Sequence, residues 1–344
     1  MLTPTGDQAL RRRAASQAAA PLIGAPALLI GALALLTAGC VARAPLNPKT
    51  VLHQERGASL LTLDRLDEAE AEFVLALEYN PKNPEAQNGL GLIAFRRGDL
   101  QRAAARFRDA LVQNDELAEA HSNLGAVLLA WGDLGQAVAG FRAALAIDPG
   151  YLNARYNLVL ALRQQGAREK ARAELQKLLA LAPQLAEAHA EMGCLQLELG
   201  RRAEADRRLR RALELSPGIG AGHRCLGQLI REGGDLVGAE AELRRSLAAQ
   251  PGDGETLYQL AITLALARRT EEAERELRGL LRRAPRFAEA HFLLGQVLSR
   301  TGDPSRRGEA IAALRRALEL RPDYPAARLA LENLVPLASR TGAR

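Results

Sequence analysis

The chain has 344 residues, 48% of them hydrophobic and only 3% aromatic, with 30 glycines and 16 prolines. That composition fits many short helices joined by tight turns and excludes a core filled by large rings, so an all-α protein is expected. The net charge of +6 suggests anionic partners only if the charge is gathered in one place, and here the arginines alternate with Glu and Asp along the chain.

The predicted elements begin with a leader. After Arg11, Arg12 and Arg13 the chain runs without charge from Pro21 to Gly39 and then reaches Cys40. A basic segment, an apolar segment and a small-residue end make a secretory signal over 1–39. The ending LLTAGC (Leu35–Cys40), with Thr37 where Leu is usual, resembles the bacterial lipobox. That resemblance implies lipidation of Cys40 as the mature N-terminus, and Val41 after it implies sorting to the outer membrane. The other reading of the same segment is an uncleaved membrane anchor, because nineteen uncharged residues almost span a bilayer. Residues 40–49, with Pro45 and Pro48, read as the lipidated Cys and a short tether.

From Thr50 the chain repeats itself. Gly57, Gly91, Gly125, Gly193, Gly227 and Gly295 fall at multiples of thirty-four residues, as do Ala69, Ala103, Ala137, Ala171, Ala205, Ala239 and Ala273. Pro81, Pro149, Pro183, Pro217, Pro251 and Pro285 keep the same step. A large apolar residue follows each Ala by four, at Phe73, Phe107, Phe141, Leu175, Leu209, Leu243 and Leu277. The pattern resembles the tetratricopeptide repeat (TPR) family. Eight units are placed at 50–83, 84–117, 118–151, 152–185, 186–219, 220–253, 254–287 and 288–324, the last stretched by three residues within Asp303–Gly308. Gly and Ala would let the two helices of a hairpin approach, Leu and Phe would fill the space between hairpins, and Pro would begin the next unit by preventing helix continuation. A terminal helix over Pro325–Val335, inside a segment 325–344, is expected to cap the stack with Leu329, Leu331 and Leu334 facing the eighth unit. The resemblance implies a right-handed superhelix.

All five histidines, His53, His121, His189, His223 and His291, occupy the fourth place of a unit, and three of them end an AEAH tetrapeptide. Successive units lie about 20 Å apart, because each contributes two helices of ~8–10 Å spacing, so these rings do not converge on a metal. Each is expected to be a flat packing ring in the gap between repeats. The preceding Glu119, Glu187 and Glu289 suit the positive end of a helix. There is no G-x-x-x-x-G-K, G-x-S-x-G or H-E-x-x-H motif, so neither an enzyme, a cofactor, a metal nor a small-molecule substrate is expected.

Cys194 and Cys225, in the first helices of units five and six, remain as an even pair once Cys40 is lipidated. A disulfide and a pair of small buried thiols are both open readings. Arg207–Arg211, Arg244–Arg245, Arg282–Arg283 and Arg315–Arg316 fall on second helices and read as a solvated face, with Glu274 spaced to pair with Arg278; contact with anionic lipid heads is the sharper reading, and nucleic acid is not expected.

By resemblance, the concave wall is lined from the first helices. Those places hold Leu61, Asn88, Leu92, Phe95, Leu129, Tyr156, Leu160, Leu197, Tyr258, Ile262, Leu266 and Phe292, with charge at Arg96, Arg163, Arg224, Arg231, Glu232 and Arg300. Asn123 and Asn157 resemble residues that grip peptide main chain, because an amide both donates and accepts; the family's own preference for Asn is the competing account. The resemblance as a whole is to TPR lipoproteins of Gram-negative envelope machines, such as type IV pilus pilotins and the gliding-motility TPR lipoprotein. It implies a non-enzymatic scaffold on the outer membrane, facing the periplasm, that binds secretin or motility-complex subunits. Two alternatives stand: an adaptor for peptidoglycan enzymes or polysaccharide exporters, and a chaperone-like carrier of outer-membrane clients.

Overall fold

A computed structural model of the chain describes residues 47–335. These are all-helical apart from turns, and they divide into two compact units, the first ending at Leu181 and the second beginning at Ala182. The signal segment, Cys40 and most of the expected tether lie outside the described residues.

The first unit holds four helical hairpins. They are α1 (Pro48–Thr62) with α2 (Leu66–Tyr79), α3 (Pro84–Arg96) with α4 (Leu100–Gln113), α5 (Ala118–Trp131) with α6 (Leu134–Ile147), and α7 (Leu152–Gln164) with α8 (Arg168–Leu181). Helix α1 starts two residues before the repeat frame, because Asn47 caps it by accepting from the Lys49 amide at 3.0 Å and Pro48 suits the first helical position. The tether therefore ends sooner than Lys49.

The second unit continues the pattern with α9 (Ala186–Glu198) and α10 (Arg202–Leu215), α11 (Gly220–Glu232) and α12 (Leu236–Ala249), then α13 (Gly254–Leu266) and α14 (Thr270–Arg283). Its last hairpin joins α15 (Ala288–Arg300) to α16 (Arg307–Leu320), and α17 (Pro325–Leu334) follows. The three extra residues of that hairpin form a 3-10 turn at Pro304–Arg306, opened by Asp303 accepting from the Ser305 amide.

Each hairpin turns on its fifteenth place. Gly98, Gly132, Gly166, Gly200, Gly234 and Gly302 sit there with φ between 71° and 94°, the left-handed region that a Cβ disfavours. Asp64 and Arg268 hold the same place at φ 57° and 61°. Three of the second helices then start on a side-chain cap, from Asp99, Asp133 or Asp235.

The eighth-place glycines explain how closely the two helices of a hairpin pack. A Cβ on Gly125 would lie 2.9 Å from the Phe141 ring, and one on Gly193 would lie 2.6 Å from Leu209 Cγ. The large apolar residue of the second helix therefore lies over the glycine of its own hairpin, and Phe73 also lies over Gly89 of the next. Leu and Phe were expected to fill the space between hairpins; they also fill the space within one, and Phe73 does both. Where Val159 and Ala261 replace the glycine, the paired helices touch over a shorter stretch.

The cap differs from expectation too. Ala327 is fully buried and Leu334 packs on the core of the last units, whereas Leu329 is 61% exposed. Arg307 donates to the Leu334 carbonyl and draws the end of α17 inward, a rotation that turns Leu329 toward solvent.

Candidate functional site

Polar clasps hold the first helix of most hairpins in a fixed rotation, and they begin at the fourth place, which is apolar in the seventh hairpin, at Leu257. His121, His189, His223 and His291 each direct Nε2 at the carbonyl six residues earlier, on Asp115, Pro183, Pro217 and Pro285, at 2.8–3.0 Å. Arg155 and Arg328 donate to Pro149 and Pro322 with the same offset. The other edge of the side chain meets the residue nineteen later on the second helix. His53 Nδ1 lies 2.6 Å from Glu72, His223 Nδ1 2.6 Å from Glu242, and Arg155 donates to Glu174 at 2.7 Å. His223 thus ties the preceding turn and both helices of its hairpin together, and the packing ring expected in the gap between repeats is replaced by a hydrogen-bonding one. Among the described residues no group of three or more His, Cys, Asp or Glu side chains is placed to hold a metal ion.

With that rotation set, the wall places can be located. In the first unit Asn123 donates to Asn88 across neighbouring hairpins at 3.0 Å. Next to them is a notch lined by Leu92, Phe95, Phe107, Ser122, Asn123, Ala126, Tyr151, Asn153 and Asn157, with no charged group among them. Burial, then the negative charge of Glu119, pushes the Tyr151 hydroxyl up to about 12, against the lowering hydrogen bond with Ser122, so Tyr151 stays neutral and amphiprotic near neutral pH. Leu129, Leu160 and Arg163 are half-buried. Tyr156 and Leu197 are only 9% and 7% exposed, so these two wall places present little surface. Arg96 reaches back to the Leu61 carbonyl at 2.8 Å and to Asp64 at 3.0 Å, joining two hairpins at the end of their first helices.

In the second unit the wall carries rings. Tyr258 and Phe287 have centroids 5.1 Å apart, and Phe292 and Tyr324 4.9 Å, with Arg321 over the Tyr324 ring. Burial pushes the Tyr258 hydroxyl up to about 12 as well. Arg231 donates to the Gln259 carbonyl, the Gln259 side chain and the Thr263 hydroxyl, and burial lowers its guanidinium from the usual value. Cys194 and Cys225 are joined in a disulfide between α9 and α11, with Cα atoms 5.4 Å apart.

The left-handed turn recurs in all eight hairpins and the clasp and the glycine socket in most of them, and three family models described as tetratricopeptide repeat match this repeat. They cover residues 55–119, 94–151 and 191–254, residues 128–192 and 231–297, and residues 288–324. The chain belongs to the tetratricopeptide repeat family. Comparison with curated proteins gave no match. Among solved structures, the chain is similar to one in the APC/C hetero-tetramer Cut9–Hcn1, with TM-score 0.68 and 17% identity over 83% of this chain and 56% of that one. It thus spans little more than half of that relative. It is also similar to a TPR protein of Parabacteroides merdae (TM-score 0.58, 17% identity, 73% of this chain and 98% of that one). A third is PilF of Pseudomonas aeruginosa (TM-score 0.54, 18% identity, 60% and 95%). At these identities the likeness is one of fold. TPR repeats serve as protein-binding scaffolds and are generally not catalytic, so the first-helix wall is the candidate site for a protein partner.

The clasps and the fifteenth-place turns were missed in the sequence, although Gly98, Gly132, Gly166, Gly200 and Gly234 repeat with the same thirty-four-residue step as the other glycines. The fourth-place polar side chain is a sequence signal as well, once its carbonyl acceptor six residues back is known.

Proposed function

We infer that the chain is a lipid-anchored TPR scaffold on the outer membrane, facing the periplasm, where its first-helix wall holds subunits of an envelope machine of the pilus-secretin or gliding-motility kind. The observation that carries this reading is the Cys194–Cys225 disulfide. Structural disulfides belong to oxidising compartments, and the leader ending in Cys40 is the sequence feature that would deliver the chain to one. The uncharged notch with Asn123 and Asn157 in the first unit suits extended main chain, and the rings of Tyr258 and Phe292 in the second suit apolar side chains.

The test is acyl labelling and membrane fractionation of the wild type and Cys40→Ser, followed by crosslinking and pull-down from membranes. The reading expects label on the wild type alone, displacement of the variant from the outer membrane, and recovery of secretin or motility subunits. Recovery of a peptidoglycan enzyme or polysaccharide exporter would replace the partner class, and weak capture of many unfolded outer-membrane clients would make the chain a carrier. An unlabelled wild type that fractionates and migrates like the variant would leave an uncleaved anchor in place of the lipid.

A further inference from the structure

The joint between the fifth and sixth hairpins is built unlike the others of its unit. Elsewhere in the unit, successive first helices meet over one short stretch; α9 and α11 lie against each other as extensively as α10 lies against α11. Their contact is centred on Cys194 and Cys225, 2% and 3% exposed, and Cys194 Sγ also lies 3.7 Å from the Ala221 carbonyl oxygen. Helix α11 is at the same time the most glycine-rich helix of its unit. Gly220, Gly222 and Gly227 lie within its thirteen residues and Gly233–Gly234 follow it. Glycine in a helix interior is less favourable than alanine. Gly227 is required, because a Cβ there would meet Leu243 Cγ at 2.9 Å, but one on Gly220 would meet nothing closer than 3.5 Å. Gly220, the first residue of the helix, is therefore not demanded by packing, and it stands in the helix that the disulfide fixes.

We propose that Cys194 and Cys225 form an oxidation-controlled joint: the disulfide holds α11 folded against α9, and the dithiol lets α11 open locally while the rest of the unit stays folded. Oxidation removes two protons and two electrons from the two thiols as the S–S bond forms. A protein disulfide oxidoreductase accepts them, its own S–S bond breaking to a dithiol. Because both sulfurs are buried in the closed joint, that exchange takes place while α11 is open. The consequence reaches the binding wall, because α11 carries Arg231, whose hydrogen bonds to Gln259 and Thr263 fix one side of it. A wall ordered in advance binds a partner without the entropy cost of ordering. The joint rests on the geometry of α9 and α11 and holds whether or not Cys40 is lipidated.

The experiment is amide hydrogen exchange read peptide by peptide on oxidised protein, on protein reduced with a phosphine and counted for two free thiols, and on Cys194→Ser/Cys225→Ser. Exchange across residues 220–232 is expected to accelerate at least tenfold in the reduced and variant proteins, with α13 unchanged. Adding Gly220→Ala to the double variant should restore part of the protection. Unchanged exchange in α11 overturns the proposal and leaves a passive crosslink. Equal acceleration in α13 also overturns it, because the disulfide would then support the whole unit. If reductant frees no thiols, the variant alone decides between these outcomes.

Discussion

At the residue scale, the fold depends on the absence of a methyl group at one place and the presence of a polar side chain at another. A Cβ on Gly125 would enter the space of the Phe141 ring at 2.9 Å, and that ring is fully buried. Gly125→Ala should therefore destabilise by about 1–3 kcal/mol, read as a fall in the urea midpoint, because a packed core absorbs an added group poorly. The same substitution at Gly220 should be neutral or mildly stabilising. At the clasp, His223→Phe preserves ring volume but strips the Pro217 carbonyl and the buried Glu242 carboxylate of a partner. The expected loss is about 1–3 kcal/mol by thermal or chemical unfolding, and His223→Leu should be no better. Glu274 gives the pH dependence. Burial raises its carboxyl, and hydrogen bonds from Arg278 and Arg306 outweigh that and hold it below the ordinary value. A depressed folded value means that this contribution is fully present above the unfolded value of about 4.5 and is lost as pH falls through the lower folded one. Wild type should accordingly lose more melting temperature than Glu274→Gln between pH 6 and pH 3.

At the element scale, what was legible in the sequence was whatever recurs with the repeat, and what was hidden was whatever depends on helix rotation. Ala69, Ala103, Ala137 and their equivalents are all fully buried, as a thirty-four-residue step of small residues implies. Leu329 could not be placed by spacing alone, because the rotation of α17 is set by Ala327 inside and by Arg307 holding its last carbonyl. The burial of Tyr156 and Leu197 was hidden for the same reason, since a wall place assigned by family position says nothing of how close the neighbouring first helix comes. Cys194 and Cys225 stood out as a pair, while their Cα separation of 5.4 Å needed the structure. A crosslink spanning thirty-one residues removes unfolded-state entropy worth roughly 3–4 kcal/mol in the chain-entropy account. Cys194→Ser/Cys225→Ser should shift the unfolding midpoint by up to that amount, with far-UV dichroism at 10 °C nearly unchanged.

At the scale of the whole molecule, TPR hairpins make stability a sum of unit and neighbour terms. Excising 118–151, one full unit bounded by equivalent turns, should leave a shorter protein that melts cooperatively. Excising α5 alone should not, because α6 would lose the Gly125 socket for Phe141. Circular dichroism with thermal melting distinguishes them, and equal damage from both deletions would refute the register. The net charge of +6 is likewise a molecular property without a single seat, since many guanidinium groups are already engaged by carboxylates, as in Arg97 with Asp67 and Glu70 or Arg202 with Glu232.

The offsets of the fourth-place clasp, six residues back and nineteen ahead, have a bearing on how the chain acquires its structure in time. No partner of a clasp lies farther along the chain than its own hairpin, so the contact order is low and the loop closed is short. A chain emerging N-terminus first at about 5–20 residues per second delivers the acceptor carbonyl before the clasp residue, and the second helix within seconds. Each hairpin can close before the next has appeared, so the array can be completed progressively without waiting for its last residue.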